Sequence, residues 1–453
     1  MNIEKNATVP FLEALKFWFK LGWISFGGPA GQIAIMHKEL VDDKHWISEK
    51  RFLHALNYCM VLPGPEAQQL SIYIGWLLHR TWGGIVAGVL FVLPSLFILI
   101  GLSYIYVAFG NLPWVAALLY GIKPAVAAIV VQAVHRIGSK TLKTPSKAPI
   151  LWTVAVASFV GLYFFSVPFP LIVLLAAFVG YAGSKFAPTQ FTSVGGHGSK
   201  SVSNTHVAAV IDDDTPTPEH AKFKKSRLAL VIGICLVLWL LPMGVLMSYQ
   251  GWQGTLTQMS WFFTKAALLT FGGAYAVLPY VYDGGVNQFA WLSGAQMMDG
   301  LALGETTPGP LIMVVSFVAF LGGWSKQVLG PDALFLGAAL AATLTTWFTF
   351  LPSFMFILAG GPLVETTHNN LKFTAPLTVI TAAVVGVIAS LALFFIAHIA
   401  LKASNIGFQF TNIDFFALGL AGIATLALIR YKVSVMSVLF ACAICGLLYR
   451  TWI

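Results

Sequence analysis

Two carboxylates, Glu66 and Glu305, stand beside matching triplets: Pro63-Gly64-Pro65 runs directly into Glu66, and Pro308-Gly309-Pro310 follows Glu305 within three residues. Their neighbours are mainly apolar, and a carboxylate held at membrane depth points to proton carriage or gating. The plainer role for Glu66 is to cap a helix start, because it follows Pro65 where a first turn favours negative charge. Around the same triplets sit Gln32, Asn57, Gln68, Gln69, Thr306 and Thr307. Their amides and hydroxyls can donate to a tetrahedral oxyanion, or can simply bond between helices. Gly27, Gly28, Gly64, Gly272, Gly273 and Gly309 bare the backbone at the same points, and an exposed helix start binds anions through its free N–H groups. Lys123, in Gly121-Ile122-Lys123-Pro124, is the cation nearest the apolar zone; its alternative role is to snorkel to an interface. No His-Glu-x-x-His, Gly-x-Ser-x-Gly or clustered Asp and His is found, so no enzyme, metal or cofactor is expected.

Such residues need elements that hold them inside an apolar medium. Of 453 residues, 58% are hydrophobic and 9% charged, against about a quarter charged in an ordinary globular domain. No soluble surface can be built from that. Runs long enough for a roughly 30 Å hydrocarbon core recur, among them 82–109, 115–135, 228–250 and 376–400. The expected fold class is an all-α polytopic membrane protein. The net charge of +9 comes from basic residues between the apolar runs, where they set orientation; nucleic acid is not an expected partner. Residues 11–21 carry Glu13, Lys16 and Lys20 and no small-residue cleavage site, so they read as retained chain. Cys59, Cys235, Cys442 and Cys445 lie in apolar segments and read as packing residues.

The breaks recur in register. Phe26-Gly27-Gly28 returns as Phe271-Gly272-Gly273, Trp46-Ile47-Ser48 as Trp291-Leu292-Ser293, and Pro63-Gly64-Pro65 as Pro308-Gly309-Pro310, all at an offset of 245 residues. Leu93-Pro94-Ser95 answers Leu351-Pro352-Ser353 at 258, so the second half has gained residues around 325–336. Glu66 maps onto Leu311, and the repeat therefore gives the two glutamates no shared role. Between the Phe-Gly-Gly and Pro-Gly-Pro motifs the first half carries Lys38, Lys44, Lys50 and Arg51, whereas the equivalent stretch 281–294 has no Lys or Arg. Equivalent loops then face opposite sides, and the halves form an inverted-topology repeat with 228–250 as the extra span. The expected division is 1–186 for the first repeat, 187–226 for a disordered cytoplasmic linker containing His197, His206 and His220, 227–255 for the inverting span, and 256–453 for the second repeat. Proline and glycine break each motif segment into half-helices, and bare backbone at depth is tolerated only in a protein-lined cavity. The four breaks should meet near the midplane.

Phe26-Gly27-Gly28-Pro29-Ala30-Gly31-Gln32-Ile33 with Met36, Pro63-Gly64-Pro65-Glu66-Ala67-Gln68-Gln69-Leu70 with Tyr73 and Gly75, and Phe271-Gly272-Gly273-Ala274-Tyr275 with Pro308-Gly309-Pro310 together resemble the chromate ion transporter family in its long, two-domain form. The resemblance covers both halves apart from the linker. It implies chromate efflux and chromate resistance, with sulfate as the look-alike anion; the expected setting is the lipid bilayer of a bacterial inner membrane, with a homodimer among the assemblies to test. Transport of another oxyanion such as sulfate or molybdate, with or without protons, stays open on motif chemistry alone.

Overall fold

The computed structural model describes residues 8–26, 28–110, 112–142, 144–146, 148–186, 209–213, 215–216, 218–366, 374–400 and 413–452. Gly27, His197 and His206 lie outside the described residues. Among those described, the regular structure is helical: α1 (Phe11–Ile24), α2 (Gly28–His37), α3 (Glu49–Val61), α4 (Glu66–Phe109), α5 (Pro113–Thr141), α6 (Pro149–Phe165), α7 (Phe169–Phe186), α8 (Lys225–Gln250), α9 (Thr255–Leu269), α10 (Ala274–Tyr282), α11 (Gly294–Thr306), α12 (Val314–Ser325), α13 (Leu334–Thr366), α14 (Thr374–Ala400), α15 (Phe415–Ile429) and α16 (Val435–Trp452). Six stretches are long and apolar enough to cross a membrane. The chain is a multi-pass membrane protein.

The repeat seen in the sequence is repeated in backbone detail. Near the end of α1 the Ser25 hydroxyl bonds back to the Leu21 carbonyl at 2.6 Å, and in α9 the Thr270 hydroxyl bonds back to Ala266 at 2.6 Å. Such back-bonding loosens a helix end. After α2 comes a π-helical turn at Lys38–Asp43, matched after α10 by Asp283–Gln288. Trp46 and Ile47 both donate to the Leu40 carbonyl; Trp291 and Leu292 both donate to Gly285. Ser48 caps α3 and Ser293 caps α11, each accepting from a backbone N–H three residues on.

Continuous helix through α4 is only nominal. At His79 and Arg80 the backbone leaves the helical region, and the two arms turn back on each other. A Cβ on Gly75 would meet the Gly83 carbonyl and the Ala87 side chain, and one on Gly84 would meet the Ile72 carbonyl. Residues 66–78 therefore form one arm of a hairpin, and Thr81 onward forms a separate long helix packed against it. In the second half α12 and α13 make the equivalent hairpin, with Gly323 against Gly337, Ala338 and Ala341. The additional residues of that half fall in the turn between them.

Two expectations need correction. The basic stretch 136–147, which reads in the sequence as an inside loop, is in part helix: α5 runs on to Thr141 and takes in Arg136 and Lys140, about 44 Å of helix, with the next proline only at Pro145. Nor is 187–226 free of structure throughout. Ile211 bridges to Ile47, Asp213 accepts from the Ser48 hydroxyl at 2.7 Å, and Ala221 is fully buried. Apolar Ile211 and Ala221 find cover against the first half, and that burial outweighs the polar composition around them.

The long helices trade partners between halves. α14 packs on α6 and α7 of the first half, while α5 packs on α15 and α16 of the second. The crossings are close: a Cβ at Gly386 would run into the Ala155 carbonyl, and one at Gly121 into Cys442 and Gly446. Small residues at helix crossings let backbones approach where lipid supplies no hydrophobic drive.

Candidate functional site

The helix breaks come together in two reciprocal pairs. Gly64 donates its N–H to the Thr270 carbonyl at 2.7 Å, and Gly309 donates its N–H to the Ser25 carbonyl at 2.8 Å. Ser25 and Thr270 are equivalent in the repeat, as are Gly64 and Gly309, so each half's second break bonds to the other half's first. Reciprocity of this kind is the mark of a two-fold relation. Glycine is required at the donor positions. Gly64 has φ +126° and Gly309 φ +108°, and a side chain would meet Ser353 at one and Ser95 at the other. These serines are themselves equivalent in the repeat.

Two of the glutamines hold this junction. The Gln32 amide donates to the Gly309 carbonyl at 2.6 Å and to Ser25 at 3.2 Å. Gln69 donates to the Pro63 carbonyl at 2.8 Å and reaches the Ser353 hydroxyl at 3.4 Å. Gln68 differs from both. It is fully buried, yet neither its amide nitrogen nor its oxygen has a hydrogen-bond partner. Buried polar atoms are seldom left so, since each costs about 1–3 kcal/mol. Gln68 lies in the first turn of α4, whose N-cap, Pro65, supplies no side-chain cap. Free N–H groups and an unspent amide thus share one place.

The remaining expected residues are distributed around that junction. Gly28 opens α2, Gly273 is the N-cap of α10, and Gly272 faces Thr381. Glu66 is the first residue of α4, where the helix dipole favours its charge, and the charges of Lys140 and Arg136 act on it. Glu305 accepts a short hydrogen bond from the Tyr275 hydroxyl. Thr306 and Thr307 bond back to the Leu303 carbonyl at 3.0 and 2.6 Å, so both hydroxyls are spent. Asn57 is on the exposed side of α3.

Lys123 is not a free cation: its ammonium lies 3.7 Å from Asp299. Asp299 is 2% exposed, accepts from the Tyr106 hydroxyl at 2.9 Å, and keeps one carboxylate oxygen unpartnered. A second buried set joins Glu365 to Arg51 at 2.9 Å and to the Tyr73 hydroxyl. In both sets the carboxylate comes from the second half and the base and tyrosine from the first. The sequence reading missed Asp299, Glu365, Arg51, Arg136 and Tyr275. Asp299, in Met297-Met298-Asp299-Gly300-Leu301, carried the same signal as Glu305, an acid among apolar neighbours. Arg51 and Arg136 were hidden because they sit close to basic loops.

The chain matches the family described as chromate transporter over residues 12–181 and 257–447, one match in each half. A protein of Pseudomonas aeruginosa named "Chromate transport protein" is 30% identical over 95% of this chain and 90% of its own length. A "Probable chromate transport protein" of Synechococcus elongatus is 29% identical over 83% of this chain and 82% of its own length. A "Chromate transport protein" of Cupriavidus metallidurans is 27% identical over 85% of this chain and 83% of its own length. No solved structure matches the chain.

Proposed function

The chain belongs to the chromate transporter family, and from that premise we propose that it exports chromate, a tetrahedral oxyanion, across a bacterial inner membrane and so confers chromate resistance. The observation that carries the reading is the junction of helix breaks, with uncapped helix starts and the unpartnered Gln68 amide beside it. Helix starts offer oriented N–H groups to an anion without a full buried cation. The inverted arrangement rests on the reciprocal contacts together with the loop charges: Lys38–Arg51 inside, the uncharged equivalent outside. Rocking of one half against the other about the shared junction then exposes it alternately to each side.

Energetics favour the outward direction. Moving one charge across 100 mV is worth about 2.3 kcal/mol, so a dianion leaving an inside-negative cell gains about 4.6 kcal/mol and needs no coupling ion. In this reading Gln32 and Gln69, whose amide nitrogens donate to backbone carbonyls, hold the junction, and Gln68 is the amide that touches the anion. Uptake of labelled chromate into inverted membrane vesicles tests the proposal. Uptake above that of vesicles lacking the chain is expected, reduced at least severalfold by Gln68→Leu; rates equal to the empty vesicles would refute it. Added sulfate or molybdate in the same assay measures selectivity.

A further inference from the structure

The guanidinium of Arg136 lies over the Tyr275 ring, 5.5 Å from its centroid. The hydroxyl of that ring donates to Glu305, so three side chains form a line: cation, ring, carboxylate. Arg136 comes from α5 in the first half, and Tyr275 and Glu305 from α10 and α11 in the second. Among the described residues Arg136 makes no ion pair, although its charge acts on both Glu305 and Glu66. A guanidinium carries five donors in a fork that matches two oxygens of an oxyanion, and among the described residues no carboxylate engages the fork of Arg136.

The surroundings of Glu305 are those of an anion held at a place not built for it alone. It lies in the last turn of α11, the end of a helix at which negative charge is disfavoured. Tyr275, by contrast, lies in the first turn of α10, whose N-cap Gly273 has φ +95° and gives no side-chain cap. The residue whose hydroxyl meets Glu305 thus has a guanidinium over its ring and an uncapped helix start at its backbone, both of which prefer negative charge. The carboxylate bound to the Tyr275 hydroxyl comes from an unfavourable helix end.

We propose that Arg136 and Tyr275 form the charge-recognising part of an oxyanion site, and that Glu305 fills it with its own carboxylate until an oxyanion displaces it. The inference rests on the oxyanion reading of the substrate given above. A carboxylate presents two oxygens much as one edge of a tetrahedral oxyanion does, so the Tyr275 hydroxyl that serves Glu305 can serve the oxyanion, with the Arg136 fork added to it. Displaced, Glu305 swings on a helix end already frayed by the break at 307–310, and Arg136, bridging the halves, feels the exchange in each. Glu305 thereby becomes an internal competitor whose removal should raise affinity.

The test is equilibrium binding of sodium chromate and sodium sulfate to the purified full-length chain. If the Glu305-filled form makes up about 90% of molecules, Glu305→Gln binds about tenfold more tightly, because apparent affinity scales with the competent fraction. Tyr275→Phe should cancel that gain, and Arg136→Gln should lose binding. If Arg136→Gln does not fold, Arg136→Lys, which keeps the charge and loses the fork, should bind severalfold more weakly. Unchanged affinity in Glu305→Gln, or wild-type affinity in the arginine variants, would overturn the inference while leaving the transport reading in place. A wild-type chain that neither binds these anions nor drives vesicle uptake would take both down.

Discussion

Single residues decide how tightly the junction can close. Gly309 combines φ +108° with a Cβ position 2.8 Å from the Ser95 Cβ, so Gly309→Ala suffers both backbone strain and collision. Its expected cost is about 1–3 kcal/mol, seen as a lowered thermal midpoint in detergent. Adding Ser95→Gly should recover the part due to collision and leave the part due to φ. Gly233→Ala is the control: nothing lies within 4 Å of a Cβ there, and no loss is expected. The glycines were readable in the sequence because a Phe-Gly-Gly or Pro-Gly-Pro motif occurring twice demands a backbone explanation. Roles of the amides were not readable. Gln32, Gln68 and Gln69 have similar chemistry, and only packing shows that two are consumed by carbonyls and one is not. The acid–base pairs were missed for a related reason: Arg51 and Glu365 are 314 positions apart in the chain, and their contact belongs to tertiary structure.

Among the elements, half-helices were foreseeable from proline and glycine, whereas the reversal at His79–Arg80 was not fully so. No proline or glycine marks it; Arg80 takes φ +55°, and the arms are held by Gly75 against Gly83. The docking of 209–213 and 218–221 is not legible in the sequence because their surroundings are polar in composition, while the attachment depends on a few contacts. His220 is one of them, half-buried, with its ring nitrogen 2.9 Å from the Trp76 carbonyl. Burial lowers its pKa, and the charges of Arg227 and Arg80 act in the same direction, while the Trp76 carbonyl opposes. A base whose pKa falls on docking takes up more protons when undocked, so docking is favoured at high pH and weakens as pH falls below the undocked value of about 6.5. Ala221→Cys, buried in the docked state, reports on this through thiol labelling. Relative to the same variant carrying His220→Gln, its labelling should rise between about pH 7.5 and 5.5; a constant ratio would separate His220 from docking.

At the scale of the whole molecule, the two-fold relation governs backbone and crossings but not charge. Lys123–Asp299 and Arg51–Glu365 both join the halves, yet the equivalent positions do not carry equivalent charges: Asp299 answers His54, and Arg51 answers Gln296. The inverted arrangement proposed above has α3 entering from inside and α11 from outside, which would put Arg51–Glu365 on the inner approach to the junction and Lys123–Asp299 on the outer. Both pairs are formed together here, so both approaches are tied across the halves. Breaking one tie should bias the rocking equilibrium toward opening on that side, by about 1–3 kcal/mol or roughly 5–150-fold in population. Cys59, fully buried on α3, and an introduced Met298→Cys, fully buried beside Asp299 on α11, are reporters for the two sides when each is the single cysteine. Glu365→Gln should speed labelling of Cys59 by a membrane-impermeant thiol reagent applied to inverted vesicles, and leave Met298→Cys unaffected from outside. Asp299→Asn should do the reverse in right-side-out vesicles. Equal acceleration on both sides by either variant would mean that the pairs only hold the fold together, because loosening a fold has no preferred side.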